Sequence, residues 1–112
     1  DTQGGPNWFK NWCLAPVIVA PEKDEVYFTP LYYTLAHFSK YIRPGAVVMD
    51  VEHSDQELLV TAAENPNGTI SVVVFNEGVQ KKNFKIRLED KETALHINPQ
   101  AIQTIVIPAK IN

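Results

Sequence analysis

The stretch Val60-Thr61-Ala62-Ala63-Glu64-Asn65-Pro66-Asn67-Gly68-Thr69-Ile70-Ser71-Val72-Val73-Val74-Phe75-Asn76 reads as two strands folded about their own middle. Asn67-Gly68 is the pair that a two-residue type I′ turn selects, because both of its central positions need a positive φ. The flanks are rich in Val, Ile and Thr, which suit a pleated, packed surface. From Ala46 onward the pattern keeps a period of two, and it predicts strands at about 46–52, 57–64, 69–76, 83–89, 93–98 and 101–107, joined by short polar connections. In the fourth of these Phe84, Ile86 and Leu88 alternate with Lys85 and Arg87, which turns one face inward and the other to water. Six short strands at this spacing predict a mainly β fold, an antiparallel β-sandwich.

Upstream of Ala46 the composition changes. Nine of the eleven aromatic residues fall in the first 41 positions, and only Phe75 and Phe84 follow. Large rings bury much area each, so this third of the chain is built to pack against something extensive. Asp1 to Lys23 carries Gly4-Gly5-Pro6-Asn7, an aromatic cluster, then Pro16 and Pro21, and this punctuation predicts a long loop. Thr29-Pro30 predicts a helix start, with Thr29 as the cap and Pro30 at the first position, where a missing N–H costs nothing. The helix is expected over about 29–42. Leu31, Leu35, Phe38 and Ile42 form its stripe, and Tyr32, Tyr33 and Ala36 widen the apolar arc, so that it requires cover on several sides. Arg43-Pro44-Gly45 ends it.

Size and charge set the bounds. A chain of 112 residues has room for one core, and a complete (β/α)8 barrel, which takes about 250 residues, does not fit in it. Ten Lys and Arg against thirteen Asp and Glu give a net charge of −3, which argues against nucleic acid as a partner. The longest apolar runs, such as Ile70–Phe75, are far shorter than the roughly 20 residues of a spanning helix. Cys13 is the one cysteine, so neither a disulfide nor a cysteine-based zinc site forms within the chain.

The residues that carry chemistry elsewhere form no constellation here. His37, His53 and His96 share no metal-ligand spacing, and His37 is expected to be a hydrogen-bonded helix residue at a packed surface. Glu52, His53, Asp55 and Glu57 read as a solvated connection without the spaced acids and Gly of a calcium loop. Lys81, Lys82, Lys85, Arg87 and Lys91 make a basic stripe, but Glu89, Asp90 and Glu92 dilute it, which argues against contact with a membrane surface. Ser39 and Ser71 lack a nucleophile context. No catalytic residue, metal or cofactor is therefore expected within these residues. Asn67-Gly68-Thr69 is also an N-glycosylation sequon, although the hairpin already accounts for it.

Gly4-Gly5-Pro6-Asn7-Trp8, followed by Asn11, and then the run from Tyr32 through Thr34, Ala36, His37, Phe38, Ser39, Lys40 and Tyr41 to Ala46 resemble the C-terminal end of glycoside hydrolase family 30, the glucosylceramidase-type family. The resemblance implies a retaining β-glycosidase made of a (β/α)8 barrel with a β-sandwich at its side. Its two glutamates, acid/base and nucleophile, stand about 5–5.5 Å apart and lie upstream of Asp1. On this reading residues 1–45 are the end of the barrel (the loop after its eighth strand, then its last helix), and 46–112 are the C-terminal sandwich. The sandwich is expected to be incomplete, because in the family chain from before the barrel joins this sheet. Asn11 then becomes the candidate substrate contact at the barrel mouth, and Trp12 beside it part of the aglycone entrance, whereas Trp8 packs. The implied partners are the barrel of the same parent chain and a β-glycoside, either an oligosaccharide or a glycolipid. The implied setting is secreted, periplasmic or lysosomal, with sphingolipid metabolism among the roles. The alternative is a free-standing carbohydrate-binding or adhesion sandwich whose aromatic N-terminal segment is the sugar platform.

Overall fold

The structure, a computed structural model, describes residues 1–2 and 14–111. Its contacts divide the chain into two units, residues 1–36 and 37–112.

In the first unit the predicted loop over 1–23 needs correction. Val17–Ala20 (β1) and Glu25–Phe28 (β2) form an antiparallel hairpin, with Val17 opposite Phe28 and Ala20 opposite Glu25. One turn of 3-10 helix, Pro21–Lys23, joins them, and Asp24 closes it at φ 53° with its N–H donating to the Pro21 carbonyl at 3.3 Å. The β-branched run Val17-Ile18-Val19 drives the pairing. Pro16 and Pro21 bound β1 from outside, where no ladder N–H is required of them.

Helix α1 spans Pro30–Ser39, and Pro30 takes the first position as expected. Thr29 does not use its hydroxyl as an N-cap acceptor: Oγ1 donates to the Ala15 carbonyl at 2.9 Å and lies 3.2 Å from the Pro16 carbonyl, tying the helix start to the chain before β1. The helix stops three residues earlier than predicted. The last helical bond runs from the Ile42 N–H to the Phe38 carbonyl at 2.8 Å; the Ser39 carbonyl then accepts from the Arg43 guanidinium at 2.7 Å, while the Arg43 N–H, which a further turn would have given to it, goes to Asn65 Oδ1 at 2.9 Å. Gly45 then takes φ +88°, with the Pro66 ring 3.2 Å from where a Cβ would stand.

The second unit is all antiparallel strand after the helix end: β3 (Val47–Met49), β4 (Leu58–Glu64), β5 (Ile70–Asn76), β6 (Lys82–Leu88), β7 (Lys91–Ile97) and β8 (Ile102–Ile107). One sheet has the order β3-β4-β5-β8, and β6 pairs with β7 in a second. Among the described residues the chain is thus mainly β with one α-helix, as the sequence predicts.

The core lies between these two sheets. Leu58, Ala62, Val72, Val74 and Ile97 are buried together, with Phe84 and Ile86 packed against them. At roughly 1.5–3 kcal/mol for each large side chain taken out of water, this cluster is the main favourable contribution to the unit. Ser71 and Val73 point to the opposite face of β5 yet are also buried, and at Ser71 the chain leaving α1 lies against that face through the Tyr41 carbonyl. Covered on both faces, β5 has the near-continuous apolar run of an interior strand.

Candidate functional site

Asn11 and Trp12, the sequence-derived substrate contacts, lie outside the described residues, as do Trp8 and Cys13. What the described residues do show is how the end of the helix is fixed to the sandwich.

Asn65 is central to that junction. It is 5% exposed, at the end of β4. Its Oδ1 accepts from the Arg43 N–H at 2.9 Å, and its Nδ2 donates to the Tyr41 carbonyl at 2.8 Å. The carboxamide thus pairs with the peptide groups on either side of Ile42 much as a neighbouring strand would. Nδ2 also lies 3.1 Å from Thr69 Oγ1 and 3.2 Å from Ser71 Oγ, and Ser71 donates its own hydroxyl to the Tyr41 carbonyl at 2.7 Å. A buried amide with all of these partners is well satisfied. Sequence reasoning missed it, and the only local signal is an Asn-Pro step where strand gives way to turn.

A second tie joins α1 to β8. Thr104 Oγ1 donates to the His37 carbonyl at 3.4 Å, and His37 Nδ1 lies 2.8 Å from the same oxygen. His37 therefore occupies a hydrogen-bonded place at a packed surface.

Between the sheets lies an open cavity of about 1020 Å³, with Val60, Ile70 and Val72 on one wall, Phe84 and Ile86 on the other, and the Asp50–Asp55 connection at its mouth. It arises because a two-stranded sheet faces a four-stranded one. Among the described residues β6 has no ladder partner on its second edge.

The acidic connection is held by cation pairing. Lys82 Nζ lies 3.0 Å from Asp55 and 2.5 Å from Glu57, and Asp55 also accepts the Glu57 N–H at 3.0 Å. These hydrogen bonds, from Lys82 first, hold the Asp55 carboxyl below the usual carboxylate range, while Glu57 and Asp55 raise the Lys82 ammonium. Glu92 is lowered by Lys85 and then Arg87, and Glu89 by Lys110 at 2.7 Å. Among the described residues no group of three His, Cys, Asp or Glu is placed to hold a metal ion. Carboxyls more acidic in the folded than the unfolded state stabilise the fold above the unfolded carboxylate range, and that contribution is lost as pH falls through the folded values. The stabilisation from these pairs is thus expected to be fully present and independent of pH between about pH 6 and 8, and the melting temperature to fall as it is lost below about pH 4. Asp55→Asn should flatten part of that acid limb in a pH series of thermal melts.

Helix α1 has no buried residue, and Tyr33 and Leu35 are 57% and 51% exposed. Much of the apolar arc is thus exposed among the described residues, although Tyr32 packs its ring against Phe28 at 4.6 Å and Leu31, Ala36 and Ile42 are half-buried. No helix among the described residues is long and apolar enough to cross a membrane.

Comparison with known proteins gives these features a common frame. Residues 1–42 match the glycosyl hydrolase family 30 TIM-barrel domain, and residues 45–105 match the glycosyl hydrolase family 30 beta sandwich domain. The chain belongs to glycosyl hydrolase family 30 and carries its β-sandwich region. It is 34% identical to a Caenorhabditis elegans protein provisionally named glucosylceramidase 2, over 96% of this chain and 22% of that one. It is 41% identical to the lysosomal acid glucosylceramidase of Mus musculus, over 68% of this chain and 15% of that one. The crystal structure of SrfJ from Salmonella typhimurium superposes with a TM-score of 0.92 at 33% identity, covering 97% of this chain and 24% of that one. The chain therefore spans less than a quarter of the length of these relatives.

Proposed function

We propose that this chain is the C-terminal portion of a retaining β-glycosidase and serves to close the barrel and brace its substrate-side loop. The observation that carries the reading is the succession of a barrel match over 1–42 and a sandwich match over 45–105, joined where Asn65 and Ser71 grip the chain leaving α1. The exposure of large apolar side chains on α1, such as Tyr33 and Phe38, suits a helix whose remaining cover comes from the rest of a barrel. The two-stranded second sheet, with β6 free at one edge, suits a sandwich completed by chain from elsewhere in the same protein. Both catalytic glutamates then belong to the rest of the parent, and the double displacement at the anomeric carbon is theirs. The substrate is a β-glycoside, an oligosaccharide or a glycolipid, with a glucosylceramide-type lipid and a secreted or lysosomal setting as the finer reading from the named relatives.

Within this chain Asn11 is assigned to the sugar and Trp12 to the aglycone entrance. A side-chain amide donates to one hydroxyl and accepts from another, so Asn11 orients the ring relative to the glutamates. Asn11→Ala in the full-length protein is expected to lower kcat/KM by about 1–3 kcal/mol, the penalty for leaving a polar partner unpaired. Steady-state kinetics and thermal melting of the same variant decide the assignment. Lost activity at an unchanged melting temperature supports it, while a large drop in melting temperature with near-normal turnover in the surviving fraction assigns Asn11 to the loop's own hydrogen bonds.

A further inference from the structure

The turn Asn67-Gly68-Thr69 is a feature that the glycosidase reading leaves unused. Asn67 is the only asparagine in the sequence followed, after one non-proline residue, by Ser or Thr. It stands at the tip of the β4–β5 hairpin, beyond the last ladder pair Glu64–Ile70, and it is exposed. The turn is hydrogen-bonded. Gly68, at φ +80°, donates its N–H to the Asn65 carbonyl at 2.8 Å, and the Asn65 N–H donates to the Thr69 carbonyl at 2.8 Å. Within this frame the two ends of the Asn67 carboxamide differ. Oδ1 accepts from the Thr69 N–H at 3.1 Å and from the Thr69 hydroxyl at 2.7 Å. Nδ2 has no hydrogen-bond partner among the described residues.

The geometry points to Asn67 as an acceptor for an N-linked oligosaccharide: the sequon hydroxyl polarises the amide oxygen, and the amide nitrogen is left in solvent on a hydrogen-bonded turn. The donor class is an oligosaccharide on a polyprenyl diphosphate. Nδ2 forms a bond to the anomeric carbon, the bond from that carbon to the diphosphate oxygen breaks, the diphosphate leaves with the electron pair, and the amide gives up one proton to a base of the transferase. No redox partner is needed. A glycan here leaves every β4–β5 ladder bond in place, because none of them involves Asn67.

The test is mass mapping of the peptide that contains Asn67, from the full-length protein secreted by eukaryotic cells. An intact glycopeptide is expected, retained in Thr69→Ser and lost in Asn67→Asp, which keeps a turn-forming oxygen and removes the acceptor nitrogen. Asn-Gly steps also deamidate spontaneously, so the glycan mass itself is read rather than an Asp left after enzymatic release. Recovery of the Asn67 peptide without glycan from secreted, folded protein overturns the assignment.

Discussion

Replacing Asn65 by Ala is expected to destabilise the sandwich unit by about 2–4 kcal/mol, because several buried groups lose a partner together. The Arg43 N–H loses its acceptor, and Thr69 and Ser71 lose the amide that organises their hydroxyls. The Tyr41 carbonyl keeps only Ser71. Amide exchange of β5 in the full-length protein reads this, since β5 lies under the junction. Asn65→Asp should be nearly as damaging at neutral pH: it keeps an acceptor for Arg43 but sets a carboxylate oxygen against the Tyr41 carbonyl. A change below about 0.5 kcal/mol for both variants, the range of ordinary surface substitutions, would mean that the helix end is held elsewhere.

Ile97→Ala is the other large loss, expected at about 2–4 kcal/mol for a buried Ile cut back to Ala with a cavity left behind. Ile97 is 1% exposed at the end of β7, and it is the residue of that strand in the buried cluster with Leu58, Val72 and Val74. Thr93→Ala, on an exposed position of the same strand, should stay within about 0.5 kcal/mol. Equal effects for the two variants would show that β7 is not anchored through its end.

The strands of the second unit were legible because period-two alternation reports directly on geometry, and Asn67-Gly68 marked the hairpin, but not as the two-residue type I′ turn expected: of the pair only Gly68 takes a positive φ, and its N–H bonds the Asn65 carbonyl across a turn over 65–68. Where boundaries moved, the cause is local. Glu89 was read as strand, but it adopts φ 56° and forms, with Asp90, the two-residue link between Leu88 and Lys91, a place where sequence leads one to expect Gly or Asn. Strand β3 ends at Met49 rather than near residue 52, since it pairs only with residues 62–64 of β4. The β1–β2 hairpin was hidden because Pro16 and Pro21 signal loop as strongly as they bound a short strand. Asn65 was illegible for a different reason. Its role depends on Tyr41 and Arg43, more than twenty residues away, and no local pattern encodes a partner at that distance. His37 was legible as a packed helix residue, but its partner Thr104, 67 positions on, was not. The candidate substrate contacts came from the motif resemblance alone, and Asn11 and Trp12 lie outside the described residues.

The division of labour between this chain and the rest of its parent is open to one direct measurement: aryl β-glucoside and β-xyloside turnover by the 112 residues alone, beside the full-length protein. Turnover with retention at the anomeric carbon is expected from the full-length protein and none above buffer from the 112 residues, because the double displacement needs both glutamates. Turnover by the 112 residues alone would contradict the reading of this chain as the non-catalytic, bracing end of the enzyme.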